Sequence, residues 1–99
     1  MIKRHIIKIS GDSMSPALVN GDYAVIKKPR AFSPGRIYVV QHSDLGLIVK
    51  RLKCIENSRY IFEGDNTAST PSSLIAPVEA ERIKGQVILI IGKSGLRRP

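Results

Sequence analysis

Leu47-Ile48-Val49-Lys50-Arg51-Leu52-Lys53-Cys54 is the stretch on which the fold turns. Read as a strand, it sends Ile48, Lys50, Leu52 and Cys54 to one face and Leu47, Val49, Arg51 and Lys53 to the other. Similar β-branched runs, bounded by Gly, Pro, Asn and Asp, recur along the chain, and no 3.6-residue repeat extends beyond one turn. The reading is a mostly β domain with strands at Ile2–Ile9, Tyr23–Lys28, Ile37–His42, Leu47–Ile55, Arg59–Glu63 and Arg82–Ile91. Turn-forming residues separate them at Asn20-Gly21-Asp22, Ser33-Pro34-Gly35, Asp44-Leu45-Gly46 and Glu56-Asn57-Ser58. One short helical turn is predicted over Ser15–Gly21, where a hydroxyl precedes a proline and the segment ends on Asn-Gly. Residues 64–77 read as a Ser-, Thr- and Pro-rich loop. Residues 1–92 form the domain, and 93–99 read as a short, dispensable basic tail.

The chain has 99 residues, which sets the scale at one domain with one modest core. Its single cysteine, Cys54, excludes an internal disulfide framework and a cysteine-based metal finger. The longest unbroken apolar run, Val87–Ile91, is far short of the roughly 20 residues that a membrane-spanning helix needs. The N-terminus is basic but lacks the apolar stretch of a secretion signal, so the expected location is cytoplasmic or peripheral to a membrane. Sixteen Lys and Arg against eight Asp and Glu give a net charge of +8, which favours acidic or anionic partners over long range without defining a site.

Lys50 is the one charge on an otherwise apolar strand face. Burial disfavours the ammonium form, and a desolvated lysine can act as a base near neutral pH. The bland reading is a lysine that snorkels to water at a sheet edge. A second feature is Gly11-Asp12-Ser13-Met14-Ser15-Pro16, directly after the first strand. A serine presented on such a turn, with backbone N–H groups beside it, has what acyl transfer asks for: a nucleophile and donors for an oxyanion. The bland reading here is a Ser-Asp turn bonded to its own backbone. Ser13 needs a base. His5 lies in a basic strand and His42 at the edge of a turn, and no histidine follows His42, which removes an esterase-type Asp-x-x-His. Lysine is left as the natural base.

At these residues the chain resembles the Ser/Lys proteases, the superfamily of type I signal peptidases and the LexA and UmuD autoproteases. Ser13-Met14-Ser15-Pro16 is similar to the signal-peptidase motif Ser-Met-x-Pro around the nucleophile, and Asn20-Gly21-Asp22 resembles the Gly-Asp that follows it. Val49-Lys50-Arg51-Leu52-Lys53 resembles the segment that holds the lysine base, 37 residues after Ser13. Gly64-Asp65-Asn66 is similar to the Gly-Asp-Asn of the last signal-peptidase box, and Ile83–Val87 to the closing strand. The resemblance runs from about Ile9 to Ile91.

It implies a compact LexA/signal-peptidase-like β domain and a serine endopeptidase with Ser13 as nucleophile and Lys50 as general base, requiring no cofactor or metal. Gly11, Asp12 and Met14 would shape the turn and oxyanion hole, and Asp65 and Asn66 would support the site. Some signal peptidases add a serine donor to the oxyanion hole at the position held here by Gly11, so the hole would rest on backbone N–H groups such as that of Ser13. The lysine-orienting hydroxyl would come from Thr70 or Ser69. At the offsets where signal peptidases place an aspartate and a second serine, this chain has Ser72 and Ser73. Against these roles, Ser69–Ser73 also reads as a solvated loop.

Twelve residues precede Ser13, which leads to the expectation of cleavage after small residues in another polypeptide, as a small anchorless signal-peptidase-like enzyme would do. The partners expected are a protein or peptide substrate and a peripheral contact with a membrane or anchor protein. Two alternatives stand beside this: a LexA/UmuD-like regulatory domain without its cleavable arm, and a non-catalytic basic β module. The aromatics Tyr23, Phe32, Tyr38, Tyr60 and Phe62 are scattered in sequence and form no evident stacking platform, which points away from nucleic acid.

Overall fold

The computed structural model describes residues 4–66 and 76–99. The β-branched runs become strands: β1 Arg4–Lys8, β2 Tyr23–Lys27, β3 Ile37–His42, β4 Gly46–Glu56, β5 Arg59–Glu63, β6 Ile83–Gly92 and β7 Gly95–Arg97. A 3-10 turn, Ala80–Arg82, leads into β6. All pairings are antiparallel in one seven-stranded sheet of order β1-β2-β6-β3-β4-β5, with β7 added to β6. The chain is therefore mostly β, as the alternating runs predict, and no helix among the described residues is long and apolar enough to cross a membrane.

The sheet curls so that its two faces bury different clusters. Ile37 and Val39 of β3 join Ile9, Met14, Leu18, Ala24, Ile26, Val87 and Ile90 in one cluster, while Tyr38 and Val40 join Leu52, Phe62, Val78 and Ile83 in the other. Four of the five aromatics meet there. Phe32, Tyr38, Tyr60 and Phe62 pack edge to face, with ring centroids 4.8–6.1 Å apart. Residues scattered in sequence are thus one packing unit in space, and they spend their ring faces on each other. The Asn57-Ser58 hairpin has positive φ at both loop residues, 50° and 62°. That is the turn whose twist suits two adjoining strands.

Three local expectations are corrected. Residues 15–21 form consecutive turns instead of a helix: Leu18 N–H donates to Met14 O at 3.0 Å, but Asp22 N–H returns to Val19 O and Gly21 N–H to Ile9 O. The backbone groups that a helix would pair internally are taken by the neighbouring strand end. Cys54 leaves the Lys50 face, because the β4–β5 register skips Lys53 at a bulge and sets Cys54 opposite Ile61 while Leu52 faces Phe62. One extra residue in a strand inverts the alternation after it. Finally, the supposed tail contains β7, paired with β6 through Ile90–Arg97, Ile91–Leu96 and Gly92–Gly95. The strand ends elsewhere shift by one residue, and Ile2 and Lys3 of the first expected strand lie outside the described residues.

Candidate active site

Ser13 sits on the chain of turns between β1 and β2. Its neighbours hold it by burial: Met14 and Leu18, 2% and 0% exposed, are sunk into the first cluster. Burying each such side chain contributes about 1.5–3 kcal/mol, so this loop is anchored by its apolar residues as well as its polar ones. Gly11 N–H donates to Asn20 Oδ1 at 2.9 Å, Ser15 N–H to Asp12 O at 3.0 Å, and Ile9 N–H to Asp22 O at 2.8 Å. Gly11 has a φ of +83°, a backbone state open to glycine at little cost. Gly11, Asp12 and Met14 are thus parts of the turn that presents Ser13.

Lys50 lies on β4 opposite Tyr38 of β3, and only 6% of it is exposed. Among the described residues, the ion pairs are Arg51–Asp65 and Arg97–Asp22, so no carboxylate neutralises Lys50. Desolvation lowers its pKa from the ordinary 10.5. An unpaired cation in an apolar setting favours the neutral amine, which is the form able to accept a proton.

Gly64 is where the two meet. A Cβ at Gly64 would lie 2.7 Å from Ser13 O and 3.4 Å from Lys50 Nζ. The residues after it fasten this approach from both sides. Asn66 N–H donates to Ser13 O at 2.9 Å and Asn66 Nδ2 to Asp12 O at 3.0 Å. Asp65 receives a two-pronged bond from Arg51, Nε–Oδ1 at 2.8 Å and Nη2–Oδ2 at 2.7 Å, and the third arm of Arg51 reaches Gly35 O at 2.7 Å. The fork keeps Arg51 firmly protonated, chiefly through the hydrogen bond to Asp65. So Gly64-Asp65-Asn66 clips the Ser13 loop to the strand that carries Lys50.

Ser13 and Lys50 share a cleft of about 290 Å³, walled by Ile7, Ile9, Met14, Leu47 and Val49. It runs between two strand edges. β1 pairs only with β2, and β5 joins β4 only from Arg51 onward, which leaves Leu47–Lys50 paired on the β3 side alone among the described residues.

Of the residues singled out by sequence, Gly11, Ser13, Met14 and Lys50 line one cleft, Asp12, Asp65 and Asn66 take part in the bonds that hold its Ser13 side, and Ser69, Thr70, Ser72 and Ser73 lie outside the described residues. His42 is a hairpin end: its Nδ1 accepts from the N–H groups of Asp44 and Leu45 at 3.0 and 3.1 Å. His5 is exposed on β1. Sequence reasoning passed over Arg51, whose adjacency to Lys50 and opposite charge to Asp65 were the available signals. It also passed over Arg97, whose partner Asp22 is 75 residues away, too distant for any local pattern.

Among known families, the chain matches Peptidase S24-like over residues 3–88. No curated protein and no solved structure gives a significant match. The match takes in the Ser13 turn, the Lys50 strand, the Gly64-Asp65-Asn66 clip and most of β6, and it agrees with the Ser/Lys protease resemblance of the same segments. A fold, a cleft and a family match over most of its length converge on one conclusion: the chain belongs to the Peptidase S24-like family, a serine-peptidase type of domain.

Proposed function

We propose that this chain is a serine endopeptidase working through a Ser13–Lys50 dyad. The observation that carries the reading is the convergence of Ser13 and a buried, carboxylate-free Lys50 on the Gly64 position within one cleft. Neutral Lys50 Nζ takes the proton of the Ser13 hydroxyl as Oγ bonds to the scissile carbonyl carbon. The carbonyl oxygen becomes an oxyanion, for which backbone N–H groups such as that of Ser13 are the donors. Collapse breaks the C–N bond, and the proton held by Lys50 passes to the leaving amine. Water, deprotonated by the same lysine, then attacks the acyl ester, and Ser13 recovers its proton as the product acid departs.

The substrate is an extended segment of another polypeptide. Two strand edges that have no strand partner among the described residues flank the cleft, and a chain laid between them satisfies both, as a strand does on joining a sheet. Residues 4–8, the described segment upstream of Ser13, are already committed to β2. A small residue, Ala above all, before the cut bond follows from the resemblance to signal peptidases, and cleavage is of the processing kind, removing a signal or pro-segment. Exposed Ile6, Leu45 and Leu47 beside the cleft support a peripheral contact with a membrane or an anchor protein.

The test is incubation with extended peptides carrying Ala at the cleavage site, followed by intact-mass analysis, for wild type, Ser13→Ala and Lys50→Met. Cleavage by wild type and none by either variant is expected. Turnover by a variant at the wild-type rate would sink the dyad.

A further inference from the structure

We infer that Arg97 is a positioning residue for the Ser13 turn, so that the β6–β7 hairpin acts as a strap on the reactive loop. The inference rests on the Ser13–Lys50 reading for its functional meaning, and on separate geometry for its substance. Asp22 closes the loop that begins at Ile9, and it is 4% exposed. Its Oδ2 accepts from Val19 N–H at 3.0 Å and from Arg97 Nη2 at 3.0 Å. The same Nη2 donates to Ala17 O at 2.9 Å. One guanidinium therefore ties three parts of the Ser13 loop: the turn at 17, the turn at 19 through the shared carboxylate, and the start of β2.

The backbone of β6 passes close against this contact. A Cβ on Gly92 would lie 2.8 Å from Arg97 Nη1 and 3.0 Å from Asp22 Oδ1, so β6 passes against the ion pair with only a hydrogen facing it. Pairing of Ile90 with Arg97 puts the arginine on the side of Asp22, its side chain 40% exposed over the buried carboxylate, while Leu96 on the opposite face is 68% exposed. The short β7 thus earns its place by delivering Arg97. Removing the cation leaves a buried carboxylate oxygen short of a donor and Ala17 O without its partner, and both costs fall on the segment between Ile9 and Asp22. Loosening there reaches the Ser13 turn through Leu18 N–H, which donates to Met14 O, and through Asn20 Oδ1, which accepts from Gly11 N–H, and it opens the cleft that Ser13 shares with Lys50. Arg97 lies beyond residues 3–88, the stretch that carries the family match.

The experiment uses the full chain and needs no substrate. Amide hydrogen exchange and a ¹³Cε-lysine titration are recorded for wild type, Arg97→Met and Arg97→Lys. In Arg97→Met, exchange at Leu18, Gly21 and Asp22 speeds up about tenfold or more while Val39 and Val40 keep their protection. The Lys50 titration midpoint moves up toward 10.5 as its shield loosens. Arg97→Lys, which restores a donor but not the fork, falls between the two. Unchanged exchange in the loop, a rise shared equally by the whole sheet, or an unmoved Lys50 midpoint overturns the proposal. Because neither readout involves turnover, failure here is distinguishable from failure of the Ser13→Ala test.

Discussion

Gly64→Ala is a substitution for which two physical effects predict opposite signs. Gly64 does not have a positive φ, so alanine meets no backbone penalty, and the reduced freedom of the unfolded chain would by itself stabilise the protein by about 0.4–1 kcal/mol. Against this stands the space. The new methyl would lie 2.7 Å from Ser13 O, 3.4 Å from Lys50 Nζ and 3.6 Å from Ser13 C. Lys50 can swing its amine aside, but the Ser13 carbonyl is main chain, fixed by the 2.9 Å bond from Asn66 N–H. To reach an ordinary contact of 3.4 Å it must retreat by about 0.7 Å, and overpacking of that kind costs about 1–3 kcal/mol. The steric cost wins, leaving a net loss on the order of 1–2 kcal/mol. In a domain of this size that lowers Tm by roughly 4–8 °C per kcal/mol. Moving the nucleophile also lowers kcat, by about 10- to 100-fold, since misplacement by 1 Å can cost about a hundredfold. Thermal melts and turnover of an Ala-site peptide read both. A Gly64→Ala protein that melts above wild type, or one that keeps full activity, would refute the claim that Gly64 sets the Ser13–Lys50 approach.

Lys50→Met abolishes turnover yet raises stability near neutral pH. The folded-state pKa of Lys50 is lowered, so between that value and 10.5 the unfolded chain binds more protons and wild-type stability climbs with pH. The gap in Tm between Lys50→Met and wild type is therefore largest below the folded-state pKa and narrows toward pH 10.5, and a gap independent of pH would count against a desolvated ammonium. Activity should rise with pH through an apparent pKa below 10.5, checked by a kcat/KM profile in which no ionisation under that value would argue against Lys50 as base. Arg51→Met removes the fork to Asp65, whose partners are 29% and 19% exposed at the side chain, and should cost about 1–2 kcal/mol and reduce kcat more than it raises KM. A loss confined to KM would show that the clip serves binding and not the placement of Ser13.

Strand identity was legible in the chain wherever β-branched residues alternate between clear turns: β3 and β5 fall on the residues expected, and parity within Leu47–Leu52 correctly sets Lys50 beside Ile48 and Leu52. What escaped was non-local. Ser15-Pro16 and Asn20-Gly21 fit a capped helix as well as a chain of turns, and the choice is made by Ile9 and Asp22, whose bonds a local window does not contain. β7 offers a single apolar residue, Leu96, on its exposed face, so no hydrophobic pattern marks it as a strand. The bulge at Lys53 follows from the register with β5 and has no glycine or proline to announce it. At the site, residue types pointed to Ser13 and Lys50 as candidates, but Gly64 as the point of contact and Arg51 as the clamp on Asp65 appear only once β4 and the segment after β5 are laid side by side.

The order β1-β2-β6-β3-β4-β5 also bears on how the protein comes into being. Ser13 belongs to the β1–β2 hairpin, Lys50 to the β3–β4–β5 meander, and the only strand paired with both groups is β6. Each group can form by local contacts, and Asn66 reaches across to the Ser13 loop, but strand pairing between the two groups waits for β6, which comes after both. Until then Ser13 and Lys50 ride on separate pieces, with no strand pairing between them among the described residues. The assembly step is the insertion of β6 between β2 and β3, a long-range event of the kind that slows folding. Completion of the sheet by its last long strand is thus a condition for the proposed Ser13–Lys50 dyad, and a β6 that fails to insert would leave the two residues on halves of the molecule that no strand joins.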